Sequence, residues 1–130
     1  MPAVYLDSSA IVKLAVREPE SEALRRHLRR RRPWVSSALA RAEVLRAVLA
    51  GGEQAIAAGR AVLARCDLVR VSDRVLNLAG IMQPVELRSL DAIHLATAER
   101  LGGDISELVI YDERMAMAAR LMGYRVSSPS

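Results

Sequence analysis

Four acidic residues stand where packing alone does not call for an acid. Asp7 ends the apolar run Ala3 to Leu6, and Asp112 follows the run Glu107 to Tyr111. In an open α/β sheet ligands gather beyond the carboxyl ends of the strands, so an acid there faces the region where chemistry occurs. Each of the two also precedes a helix, where Asp serves as an N-cap, so either one alone decides nothing. Glu43 lies within Ala38-Leu39-Ala40-Arg41-Ala42-Glu43-Val44-Leu45, with Leu39 and Ala47 one helical turn away. A carboxylate on so apolar a surface needs a cation, a set of hydrogen bonds or a proton. An ion pair with Arg41 or Arg46 is the simplest of these. Asp91 falls in the first turn of Ser89-Leu90-Asp91-Ala92-Ile93-His94-Leu95-Ala96, on the side of Leu95, where the helix dipole favours an acid whatever its role. His94, on roughly the same side, could bind metal or phosphate. A hydrogen-bonded core or boundary histidine explains it more simply, and it is left outside the candidate site.

The formal net charge is +4, so if these four acids converge, the rest of the chain carries +8 around one strongly negative cleft. Mutual repulsion would raise some of their pKa values. One or two hard divalent ions would instead make them the oxygen ligands that Mg²⁺ or Mn²⁺ prefers. The basic remainder would attract a polyphosphate chain.

The elements that must position these residues alternate between strand and helix. Ala3 to Leu6 reads as a strand, and Asp7-Ser8-Ser9 opens a helix through Val16. Glu18-Pro19-Glu20 starts a second helix with Arg29 to Arg32 near its end, an order that suits the helix dipole. Pro33 to Ser36 is extended, and Ser37 is placed to cap a long helix ending near Gly51-Gly52, with Glu53 to Arg65 as its antiparallel partner. Leu68 to Val71 is β-like, and Asp73 is placed to cap a helix to about Met82. Ser89 opens a helix ending at Gly102-Gly103, Glu107 to Tyr111 is a strand, and Asp112 begins a last helix that stops near Gly123. Tyr124-Arg125-Val126 adds an edge strand. Strands and helices joined this closely predict an α/β fold, a three-layer α/β/α domain over residues 1–130 around a short, mostly parallel sheet.

Composition narrows the partners. At 130 residues there is room for one domain, and 52% hydrophobic content fills its core. Aromatic residues make up 3%, with no Phe, which argues against aromatic platforms for base stacking. Every basic residue except Lys13 is Arg, the side chain best shaped for bidentate phosphate contact, although genomic base composition accounts for Arg richness equally well. Cys66 is the single cysteine, which excludes intrachain disulfides and thiolate zinc clusters; it is expected in the core. No basic n-region or long apolar run is present, and a cytoplasmic protein is expected.

Val4-Tyr5-Leu6-Asp7-Ser8-Ser9-Ala10, Ala42-Glu43, Leu90-Asp91-Ala92-Ile93-His94-Leu95-Ala96 and Ile110-Tyr111-Asp112-Glu113-Arg114 appear in an order and at separations that resemble the motifs of PIN-domain ribonucleases. The likeness spans nearly the whole chain, and at this length it is to the VapC toxins of prokaryotic toxin–antitoxin pairs. The resemblance implies Mg²⁺- or Mn²⁺-dependent endoribonuclease activity, an RNA substrate, a VapB-type antitoxin and a homodimer formed through helical apolar surface. Asp7, Glu43, Asp91 and Asp112 match the four metal ligands and catalytic acids, and Ser9 the small polar residue that holds the first aspartate. Glu113 is the alternative to Asp112 at the fourth position. Arg114 and some of Arg29 to Arg32 are candidates for phosphate contacts, each with a solvated-face alternative.

Two rivals fit less well. A haloacid-dehalogenase-like phosphatase needs a second Asp two residues after the first, where this chain has Ser9; a phosphorelay receiver domain needs a Lys at a late strand end, and the only Lys is Lys13. A PIN-like module that binds RNA or protein without cleaving stays open.

Overall fold

The computed structural model describes residues 2–130. Five strands, β1 (Ala3–Leu6), β2 (Trp34–Ser37), β3 (Cys66–Val69), β4 (Ile105–Val109) and β5 (Val126–Ser127), form one sheet in the order β3-β2-β1-β4-β5. Every pairing is parallel, so the sheet is wholly rather than mostly parallel among the described residues. The helices are α1 (Ser8–Ala15), α2 (Ser21–Leu28), α3 (Ala40–Val48), α4 (Gly52–Ala64), α5 (Asp73–Gly80), α6 (Ser89–Leu101) and α7 (Glu113–Leu121).

Side chains alternate across β1 and so feed two cores. Val4 and Leu6 pack with Ala10, Ile11, Leu24, Leu28, Val44 and Val62, which holds α1 to α4 on one face. Tyr5 packs with Leu95, Ala98, Leu108, Met115 and Ala119, which holds α6 and α7 on the other, with α5 against α6. Gly59 lets α4 lie close on α3: a Cβ there would stand 3.4 Å from Val44 and Val48. That contact fixes the helix that carries Glu43.

Several boundaries differ from the sequence reading. β3 and β4 each begin two residues earlier than their apolar runs, because the exposed Asp67 and Ser106 break the apolar pattern near their starts. Ser37 ends β2 rather than capping a helix directly; its hydroxyl accepts from the Leu39 amide, and α3 starts at Ala40. Ser72, not Asp73, caps α5, accepting from the Val75 amide at 3.2 Å, and the helix stops at Gly80. Cys66 is only partly buried, and burial pushes its thiol up to about 11. Arg29 to Arg32 precede β2 and therefore lie at the amino end of the sheet, opposite the strand ends that carry Asp7. They cannot contact phosphate at the carboxylate cleft.

Candidate active site

Asp7 leaves β1 directly and caps α1. Its Oδ1 accepts from the Ala10 amide at 2.8 Å and the Ser9 hydroxyl at 2.7 Å, and the Tyr111 amide approaches Oδ2 at 3.4 Å. Burial pushes this carboxyl above the usual carboxylate range; the bonds from Ala10 and Ser9 and the nearby His94 only partly oppose it.

Glu43 faces inward from the first turn of α3. Its Oε1 accepts from Ser8 Oγ at 2.5 Å and from His94 Nε2 at 2.7 Å. Burial would raise its pKa, but the bonds from His94 and Ser8 outweigh burial and hold the carboxyl below its ordinary value. Neither Arg41 nor Arg46 pairs with it among the described residues; both guanidiniums stay on the exposed side of α3. In place of the alternative ion pair with an arginine, Glu43 is held by His94.

His94 is buried and bridges the two layers. Its Nδ1 lies 2.7 Å from the Tyr5 hydroxyl and its Nε2 3.2 Å from Ser8 Oγ as well as against Glu43. An ionised carboxylate can only accept, which puts the ring proton on Nε2 and makes the Tyr5 hydroxyl the donor to Nδ1. The signal was present at sequence level: three residues separate His94 from Asp91 on one helix, so an inward Asp91 brings His94 toward the same cleft.

Asp91 is half-buried in the first turn of α6. Burial raises its pKa, and Asp112, Asp7 and Glu43 all raise it further through charge repulsion, with His94 pulling the other way. Asp91 therefore feels the field of the other three acids. Asp112 caps α7, accepting from the Met115 amide at 2.9 Å, and is exposed. Asp91, Asp112, Glu113, Arg88 and Arg114 line one cleft of about 290 Å³ with Glu86 and Leu87. Arg88, the residue before α6, went unread because nothing local distinguishes it from other surface arginines.

All four acids are hard oxygen donors, and the carboxyl of Asp91 is raised by burial and by repulsion from the other three acids although Arg88 and Arg114 line the same cleft. Donor type and charge fit a divalent ion. Among the described residues no three His, Cys, Asp or Glu side chains are already arranged to hold one, and an ion held by one or two of the carboxylates would complete its shell with water.

Comparisons with known proteins identify the family to which this fold belongs. Residues 4–121 match the family model for the PIN domain. Ribonuclease VapC46 of Mycobacterium tuberculosis is 66% identical over 130 residues, all of each chain. Ribonuclease VapC35 of the same species is 39% identical over 97% of this chain and 96% of its own. Among solved structures, Mycobacterium tuberculosis VapC20, described as a sarcin-ricin loop cleaving toxin, superposes with a TM-score of 0.78 at 16% identity, covering 98% of this chain and 100% of that one. A toxin–antitoxin complex from Klebsiella pneumoniae gives 0.74 at 20% identity, with 98% of each covered. With the family model matched over most of the chain and likeness to a ribonuclease over its whole length, the chain belongs to the PIN-domain family, among the VapC ribonucleases.

Proposed function

We propose that this chain is a metal-dependent endoribonuclease toxin that cleaves RNA phosphodiesters and is neutralised by a VapB-type antitoxin. The observation that carries the reading is the gathering of acids around one cleft: Asp91 and Asp112 line it together, and the carboxyl of Asp91 is raised by burial first and then by Asp112, Asp7 and Glu43. Asp7, Glu43, Asp91 and Asp112 would hold Mg²⁺ or Mn²⁺, with Glu113 beside Asp112 as the alternative fourth acid. A divalent ion bound there supplies an acidified water and neutralises charge on the phosphate. Ser9 and the Ala10 amide fix Asp7. Ser8 and His94 fix Glu43, with both bonds on Oε1. Arg114 and Arg88, on the wall of the same cleft, are placed to hold a substrate phosphate. Homodimerisation would use the apolar groove between α5 and α6, where Leu76, Ile81 and Val85 are exposed. No helix among the described residues is long and apolar enough to cross a membrane.

A second reading is a PIN-like module that binds RNA or protein without cleaving. One experiment separates the two. New RNA 5′ ends are mapped after incubating source-cell RNA with wild type plus Mg²⁺ or Mn²⁺, wild type plus chelator, and Asp7→Asn. Discrete metal-dependent ends missing from the variant support the ribonuclease; no difference among the three supports the binding module.

A further inference from the structure

The arginine run that the carboxylate cleft does not use helps to build a recess at the other end of the sheet. Arg29 and Arg32 from the run, Arg25 of α2 and Arg65 at the end of α4 line a cavity of about 260 Å³ with Leu14, Leu28 and Trp34. None of the four guanidiniums forms an ion pair among the described residues, whereas Lys13 forms two. Arg32 and Arg65 lie over the Trp34 ring at 4.7 and 4.6 Å, which orients their planar forks. Four guanidiniums on one small recess present more donors and positive charge than the neighbouring carbonyls take up, a surface that favours an anion.

We infer that this recess is a second RNA contact, a phosphate-backbone site separate from the carboxylate cleft. The side chains lining it carry donors and no acceptor: four guanidiniums, of which Arg25 also donates to the Leu14 carbonyl, and a Trp34 Nε1 already donating to the Arg31 carbonyl. A phosphodiester presents acceptors and negative charge, which these donors satisfy. An acidic peptide also brings amide donors, for which the side chains here offer nothing. Trp34 is buried, so no base can stack on it, and binding is blind to sequence. The recess precedes β2 and β3, whereas the acids follow β1 and β4, so at least the rise of a four-residue strand, roughly 13 Å, separates the two sites. A long RNA with its scissile bond among the acids would reach the recess and a short one would not. RNA as the ligand rests on the ribonuclease reading.

The test is fluorescence anisotropy with labelled polyuridylate in chelator over a salt series. The Arg29→Gln, Arg65→Gln double variant is expected to bind more weakly, with a log–log salt slope shallower by about 1.4, two phosphate contacts at about 0.7 each. Arg74→Gln with Arg120→Gln, the same change in net charge elsewhere, should leave the slope as in wild type. Equal effects from both pairs, no measurable binding by wild type, or a loss confined to a polyglutamate probe would each overturn the proposal, the last in favour of an acidic peptide. Cleavage of a short RNA reports the carboxylate cleft independently. A shallower slope with no cleavage by wild type keeps the recess and sinks the ribonuclease, and an unchanged slope with normal cleavage does the reverse.

Discussion

Two carboxylate–histidine pairs, each with an N–O distance of 2.7 Å, lie toward opposite ends of the same sheet. At the amino end, Glu107 of β4 meets His27 of α2, accepts from the Ser127 hydroxyl at 2.9 Å, and has Arg31 Nε 3.8 Å away. At the carboxyl end, Glu43 meets a buried His94 whose other nitrogen is held by Tyr5. The bond lengths do not distinguish the pairs, but their surroundings do. Glu107 ties α2 and β5 to β4 beside a cation, and its charge is locally balanced. Glu43 is fixed by Ser8 and His94, and with Asp7 and Asp112 it adds to the burial that raises the carboxyl of Asp91, so that acids outnumber the cations Arg88 and Arg114 there. Structural pairs close their charge account, and an open account marks a site that awaits a ligand.

The widest separation between the pairs should come from neutralising each carboxylate. Glu43→Gln keeps the shape but removes the charge, and cleavage of the mapped RNA should fall by about 100-fold or more, with Mn²⁺ affinity by calorimetry falling alongside. Glu107→Ala should leave cleavage per folded molecule unchanged while lowering unfolding free energy by about 2 kcal/mol, because it takes hydrogen bonds from His27 and Ser127. Urea denaturation measures this. Equal losses of activity in the two variants would erase the distinction. A smaller effect sharpens it: Tyr5→Phe removes the donor to His94 Nδ1, leaving the ring free to turn and Glu43 less well fixed. Activity and Mn²⁺ affinity should each drop about tenfold. A variant that is merely less stable, with wild-type Mn²⁺ affinity, would make His94 a packing residue only.

What the sequence made legible follows from how local each signal is. Asp7 stands out because an apolar run stops against Asp-Ser-Ser, and strand, turn and cap are all contained in a few residues. The alternation of short strands and helices likewise foretold a parallel sheet with two covered faces. Glu43 could be flagged as displaced from water, but its partner lies 51 residues away on the opposite face of the sheet, beyond the reach of any i±4 pattern. Arginines 29 to 32 resembled phosphate ligands, yet which end of the sheet they occupy depends on β2 running parallel to β1. The starts of β3 and β4 were missed for a related reason: the exposed Asp67 and Ser106 read as breaks before an apolar run, and only the long-range pairing with β2 and β1 puts them within strands.

The smallest predicted effect tests the open account most directly, through stability rather than activity. The carboxyl of Asp91 is raised in the fold by burial and by Asp112, Asp7 and Glu43, so the native state binds its proton more readily than the unfolded chain does. Between the unfolded and folded pKa values the slope of unfolding free energy against pH is then negative, and above the folded value the ionised group is a net cost to the fold. Glu43 has the opposite sign: its lowered carboxyl contributes stability above the unfolded pKa, and that is lost as pH falls through the folded one. Asp91→Asn removes only the first cost, and should raise Tm at neutral pH in chelator by on the order of 4 °C. The gap between variant and wild type should shrink as pH falls through the carboxylate range, where Asp91 takes up its proton. Added Mn²⁺ should also narrow it by stabilising wild type more than the variant. A gap that holds constant across pH would mean that the substitution acts through packing, and that the four acids do not share a field.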